Sequence, residues 1–212
     1  MRKTKKETQI DITPAVSVLV PIYNVGDYLA ECLDSIVNQS LENIEIICIN
    51  DGSTDNSLEI IKEFMKNDKR IVLIDKENTG YGDSMNCGIR AAKGEYIGIV
   101  ESDDFIAPNT YKILYETAVA HDLDIVKGSC IKFWTNESNE RKNISMFVSP
   151  NESLYRKVIC PKDNLVVFDY PMHTWLGIYK RSFIVENNIL HNTTPGASFQ
   201  DLGFFFQTFT LA

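Results

Sequence analysis

The sequence predicts an α/β protein built on one mostly parallel sheet with helices on both faces. Three observations lead there. Short β-branched runs alternate with segments whose apolar residues recur every three to four positions. Gly, Pro, Asn and Asp stand where one period gives way to the other. A length of 212 residues with 44% apolar content fills one sizeable core and is too short for two.

Each element follows from its own pattern. Val16–Val20 (VSVLV) is a β-branched run, read as a buried strand. Asn24 is placed to cap the next helix, with Asp27 in its first turn. There Tyr28, Leu29, Cys32, Leu33 and Ile36 keep the spacing of a buried stripe. Ile44–Ile49 (IEIICI) is a second strand, and Asp55 opens and caps a helix containing Leu58, Ile61, Phe64 and Met65. Ile71–Ile74 is a third strand; a helix over 81–93 follows, with Gly94 as its C-terminal stop. Tyr96–Val100 is a fourth strand, Pro108 opens a helix running to about His121, and 125–133 returns to the sheet. Residues 135–165 are polar and poorly periodic, which predicts an excursion over one face. Trp175–Tyr179 reads as a short strand and Ser182–Asn187 as a short helix. An apolar helix with Phe204, Phe205, Phe206, Phe209 and Leu211 begins near Ser198 and reaches Ala212 without Gly, Pro or a polar cap. Such an ending implies a fragment with further elements downstream.

Composition narrows the function. A net charge of -8 argues against a nucleic-acid partner. It leaves room for an anionic ligand, because a bound cation inverts the field in one cleft. The basic cluster Arg2, Lys3, Lys5 and Lys6 is expected to be a solvated tail, at most attracted to an anionic membrane surface. Cys32, Cys48, Cys87, Cys130 and Cys160 form no CxxC pair, so neither a disulfide framework nor a zinc site is expected. Without a secretory signal or an apolar stretch of membrane-spanning length, the expected location is the cytoplasm, at most peripheral on the inner membrane face.

In an open parallel sheet, ligands bind beyond the carboxyl ends of the strands. Those ends carry Pro21-Ile22-Tyr23-Asn24, Asn50-Asp51-Gly52-Ser53 and Glu101-Ser102-Asp103-Asp104. Three carboxylates within four residues repel one another unless a cation joins them. Mn²⁺ or Mg²⁺ suits such oxygen ligands, and Mg²⁺ takes one or two carboxylates and completes its shell with phosphate oxygens. Glu101, Asp103 and Asp104 are therefore the candidate metal ligands. Asp51 is either a plain Asp-Gly turn residue or a carboxylate that accepts from a ligand imide or hydroxyl. NTGYGDSMNCG (78–88) looks like a phosphate-cradling loop, but Met85 occupies the position of the third glycine in GxGxxG, which disfavours a dehydrogenase.

VSVLVPIYN (16–24), INDGSTDNS (49–57) and DKENTGYGDSMNCGIRAAKGEYIGIVESDDF (75–105), in this order and spacing, resemble the nucleotide-sugar-binding half of family 2 glycosyltransferases. The resemblance implies a GT-A fold, a Rossmann-like three-layer α/β/α arrangement. It divides the chain into a disordered basic stub (1–14), a nucleotide-sugar-binding unit (15–134) and an acceptor-side region (135–212) cut short at its end. It implies that Pro21, Tyr23, Asn24, Asp51, Asn78, Gly80, Asn86, Ser102 and Asp103 contact the donor, with Asp51 on the base. Asp103 and Asp104 match the metal motif, whose first position is Glu101 here. QDLGF (200–204) matches the motif of the general base, making Asp201 the candidate. Ser198 and Asp201 also read as a helix-capping pair, a role compatible with the first. Gln200 stands where Glu is usual, and Met85 where an Arg is usual. His173 is a candidate for lining the acceptor cleft or for packing; His191, in a polar loop, has no assigned role.

The implied reaction is inverting transfer from a nucleotide-diphosphate sugar, a UDP-sugar, to a glycan or lipid-linked acceptor in cell-surface polysaccharide synthesis. A sugar-nucleotide pyrophosphorylase shares the sheet and the metal, but its Gly-rich, Arg-containing loop is missing from PIYNVGDY (21–28). A catalytically inactive nucleotide-binding fragment is the remaining alternative.

Overall fold

The computed structural model describes residues 13–136, 138, 140–146, 154–169, 172–194 and 199–212; the expected N-terminal stub, apart from Thr13 and Pro14, lies outside them. In chain order the elements are β1 (Val16–Ile22), α1 (Gly26–Val37), β2 (Ile44–Asp51), α2 (Ser57–Asn67), β3 (Ile71–Lys76), α3 (Tyr81–Ala91), β4 (Tyr96–Ile99) and α4 (Thr110–Ala120). They continue with β5 (Ile125–Lys127), β6 (Cys130–Thr135), β7 (Arg141–Met146), a short 3-10 helix (Leu165–Asp169), β8 (Gly177–Lys180), α5 (Arg181–Glu186) and α6 (Leu202–Leu211).

Six strands form the main sheet in the order β3-β2-β1-β4-β8-β5. All are parallel except β8, which runs antiparallel between β4 and β5. Registers bring the carboxyl ends to one edge: Ile22 lies opposite Asn50, and Asp51 opposite Lys76. β1 and β2 are buried along their whole length, as a central parallel strand covered on both faces must be. From β1, Val16, Val18, Val20 and Ile22 face a core shared with Leu29, Cys32, Leu33 and Ile36 of α1, Ile61 of α2 and Tyr111 of α4. Leu19 faces the opposite core, with Met85 and Ile89 of α3, Ile184 of α5 and Phe204 of α6. The three-layer α/β/α arrangement is thus the observed one.

Several local expectations give way to tertiary packing. Tyr28 is 58% exposed, so the buried stripe of α1 begins at Leu29. Gly94 follows the α3 cap residue Ala92, and it is needed there for closeness: a Cβ would lie 2.6 Å from the backbone nitrogen of Ser17. The apolar run 125–133 is two strands. Gly128 and Ser129 break it, and β6 leaves the sheet to pair antiparallel with β7, inside the expected excursion. Long-range pairing of this kind has no local periodic signal to announce it.

Candidate active site

Asp51 ends β2 almost fully buried, 4% exposed. Its carboxylate accepts the backbone N–H groups of Thr79 and Gly80, each at 2.9 Å, and an ion pair from Lys76 at the end of β3. Burial by itself raises its pKa, but Lys76 and the two amides outweigh that and hold the carboxyl below its ordinary range. Asp51 is therefore the clamp that shapes the 76–80 loop. Gly52 completes the turn with φ +71°, where a Cβ would stand 2.8 Å from the Asn78 nitrogen. Asn78 is exposed beside it.

The loops after β1 and β2 are stitched together. Asn24, at φ 53°, turns its side chain away from α1 and accepts from the Thr54 N–H at 2.7 Å, while its own N–H donates to Ser53 Oγ at 3.1 Å. The expected capping role of Asn24 is corrected by this geometry: Val25 is the cap residue of α1, and the Gly26 N–H donates to Asp55 Oδ2 at 2.8 Å. Asp55 Oδ1 also accepts the Ser57 N–H at 3.0 Å, so one carboxylate serves the starts of two helices. Pro21 is buried within β1, and Tyr23 stands 51% exposed at its mouth.

At the end of β4 the chemistry changes. Ser102 is buried, Asp103 exposed and Glu101 and Asp104 partly buried; the Asp104 N–H donates to the Glu101 carbonyl at 3.0 Å, making a tight turn. Burial, reinforced by Asp103, Asp104 and Asp201, pushes the Glu101 carboxyl up to about 7, although the Tyr81 hydroxyl donates to it at 2.8 Å. Burial and the Asp103 charge likewise raise Asp104. No described residue forms a salt bridge with these three carboxylates. Among the described residues no group of three or more His, Cys, Asp or Glu side chains is arranged as a metal cage. A pair of carboxylates suffices for a cation completed by phosphate oxygens, and the uncompensated acidic turn fits that chemistry.

Asp201, from the far end of the chain, adds its charge to this turn. It is the cap residue of α6, and its side chain makes no capping hydrogen bond; Ser198, its expected capping partner, lies outside the described residues. Its charge reaches Glu101, Tyr81 and His173. Glu101 thus feels the charges of Asp103, Asp104 and Asp201 while Tyr81 holds it by a hydrogen bond.

α3 joins the two halves. The start of α3, whose glycines look like a phosphate-cradling loop, turns its amides to the protein: the Gly80 N–H donates to Asp51, and the Gly82 N–H to Gln200 Oε1 at 2.7 Å. A Cβ at position 82 would lie 1.9 Å from the Asn192 carbonyl oxygen, so Gly82 serves packing against the 191–194 segment. Asn86, expected beside the nucleotide, is 3% exposed. Its amide donates to the His191 carbonyl at 3.0 Å and accepts the His191 N–H at 2.9 Å. His191, which has no role assigned from residue order, is buried, stacks on Phe204 with centroids 4.3 Å apart, and meets the edge of Tyr81 at 5.8 Å.

Lys76, Tyr81 and Lys127 are not among the residues that the motifs single out. Lys76 was open to detection, since it ends the strand beside the one that ends in Asp51. Tyr81 gave only the weak signal of an aromatic residue in a Gly-rich loop. Lys127 is partly exposed as a residue, but its ammonium is enclosed: it donates to the His173 carbonyl at 2.7 Å and the Tyr179 hydroxyl at 2.8 Å. Burial lowers it to about 7. Together with Tyr179, whose hydroxyl donates to the Thr174 carbonyl at 2.8 Å, it holds the strap that carries His173 stacked on Trp175 at 4.9 Å.

Comparison with known proteins agrees with this fold. The family model described as Glycosyl transferase family 2 matches residues 17–194. An uncharacterized glycosyltransferase, EpsJ of Bacillus subtilis, is 35% identical over 84% of this chain and 51% of its own length. The glycosyltransferase GlyA of Streptococcus pneumoniae is 41% identical over 73% of this chain and 21% of its own. Among solved structures, S. aureus TarS residues 1–349 in complex with UDP superposes with a TM-score of 0.73 at 22% identity, covering 92% of this chain and 55% of that one. The chain thus spans about half the length, or less, of these relatives.

Proposed function

The chain belongs to glycosyl transferase family 2, and from that premise we propose that it is an inverting glycosyltransferase acting on a nucleotide-diphosphate sugar, a UDP-sugar. The acceptor is a hydroxyl of a glycan or lipid-linked glycan, in cell-surface polysaccharide synthesis on the cytoplasmic side of a membrane. One observation carries the reading. Asp201, from a distant part of the chain, lies close enough for its charge to help raise Glu101 in the acidic turn at the strand ends, and Gln200 beside it is bonded to the same turn of α3 as Tyr81, which donates to Glu101; no described residue forms a salt bridge with that turn.

In this reading the nucleoside lies over the stitched loops of β1 and β2. Pro21, Tyr23 and Asn24 form one wall, Asn78 and Gly80 the other, and Asp51 sets the loop against which the base rests. Ser102 and Asp103 meet the ribose and diphosphate. Asp103 and Asp104, with Glu101 behind them, would hold Mn²⁺ or Mg²⁺, which supplies positive charge to the departing diphosphate when bound. Asp201 takes the proton of the acceptor hydroxyl as its oxygen attacks the anomeric carbon. The bond from that carbon to the diphosphate oxygen breaks on the opposite face, and UDP leaves. A single displacement inverts the configuration.

Calorimetric titration with UDP, GDP and dTDP, each with and without Mn²⁺, tests the donor reading. Tight binding of UDP alone, lost on chelation, is the expected result. Equal affinity for all three, or indifference to chelation, overturns the UDP or metal assignment respectively. Transfer from labelled UDP-sugars to a glycan acceptor then separates a transferase from a nucleotide binder.

A further inference from the structure

We propose that Asn86 and Gln200 are positioning residues for Asp201: Asn86 holds His191, and Gln200 holds its own end of α6, against α3, so that the acidic start of α6 faces the crevice. This rests on the reading of Asp201 as the base, and it gives Asn86 a task other than contact with the nucleotide.

The geometry is specific. Asn86 imitates a strand partner, pairing with both the N–H and the C=O of His191 through one buried amide. The Gly82 N–H donates to Gln200 Oε1 at 2.7 Å, and Gln200 Nε2 donates to the Thr194 carbonyl. The Asn192 N–H reaches the Gln200 carbonyl at 3.3 Å. Between these two fastenings the His191 ring is wedged against Phe204 of α6 and the edge of Tyr81 of α3. Gln200 immediately precedes Asp201, and Tyr81 donates to Glu101. Hence a single turn of α3 fixes both sides of the crevice, the acidic turn through Tyr81 and the base through Gln200. A misplacement of about 1 Å at such a site costs roughly 10²-fold in rate.

The test uses Gln200→Met and Asn86→Leu, which keep size and remove the bonds, with Gln200→Glu as the conservative variant that can still accept the Gly82 N–H. Gln200→Met and Asn86→Leu are expected to lower kcat about 10- to 100-fold while the Kd for UDP stays within about twofold, and Gln200→Glu to recover most of the rate. In an Asp201→Asn background, Gln200→Met should cost little more, because residues acting as a unit are not additive. Weakened UDP binding at unchanged kcat in Asn86→Leu overturns the assignment in favour of nucleotide contact. Full additivity of Gln200→Met with Asp201→Asn also overturns it, in favour of general structural support. Should Asn86→Leu fail to fold, the Gln200 series decides alone. Absence of UDP binding and transfer in the unmodified protein instead defeats the transferase reading itself.

Discussion

Two regions at the same edge of the sheet handle charge in opposite ways. Around the ends of β2 and β3 and the start of α3, carboxylates are held in their charged form. Asp51, Asp55 and Asp83 all lie below their ordinary range, because Lys76, hydroxyls and backbone amides meet them. Between the end of β4 and α6, titratable groups are pushed towards neutrality. Glu101 rises to about 7, Asp104 also rises, and burial takes Lys127 down to about 7 and His191 to about 4. In the first region the carboxylates find their partners within the protein. The second leaves partly buried carboxylates without a salt-bridge partner among the described residues, which is what the proposed site for a charged ligand requires.

The largest expected effect separates the two regions by function. Asp201→Asn should lower turnover by about 10²–10⁴-fold, the range of general-base assistance, and leave UDP affinity nearly unchanged in the same calorimetric titration. Equal turnover in that variant would break the contrast at its most important point.

Next comes the scaffold side. Lys76→Met removes the cation from a carboxylate that remains 4% exposed. Breaking such a pair costs about 3 kcal/mol or more, against a typical stability of about 5–15 kcal/mol. Urea denaturation should show that loss. Adding Asp51→Asn to Lys76→Met should return part of it, since the stranded charge is then gone. A variant as stable as the parent would mean that the first region does not depend on this pair.

The smallest effect sharpens the contrast through pH. His191 has a folded pKa of about 4, below the ordinary 6.5, because burial penalises its cation while the Gln200 backbone carbonyl opposes the shift. The unfolded chain therefore binds the proton first. The neutral wedge contributes its full stability above about pH 6.5, and this is lost progressively as pH falls towards 4, by at most about 3 kcal/mol. Denaturant midpoints of His191→Phe and the parent, compared at pH 7.5 and pH 5, should differ in slope, with the variant falling less. Identical slopes would mean that His191 titrates as an exposed ring does.

Much of the fold was legible in residue order. Buried parallel strands leave continuous apolar runs, and VSVLV and IEIICI coincide with β1 and β2 to within two residues. The three strand-end segments were legible too, because in a parallel sheet consecutive carboxyl ends must emerge at one edge. Other features were hidden for a physical reason. β8 enters the sheet antiparallel between β4 and β5, and β6 abandons it for β7; both are long-range pairings decided by neighbours distant in sequence. Asn86 likewise looked like a site residue, since nothing local tells whether a buried amide will meet a ligand or the backbone of residue 191.

The sequence by itself determined the periods of the strands and helices, the acidic turn after β4, and the family to which the motifs belong, because each is written within a few consecutive residues. Only the tertiary structure decided which polar groups satisfy one another and which are left facing the crevice. That division depends on distances between loops 25 to 118 residues apart, from Lys76 and Asp51 to Gly82 and Gln200. Burial then sets its electrostatic consequence, since a charge taken out of water is stable only beside a partner that packing has brought to it.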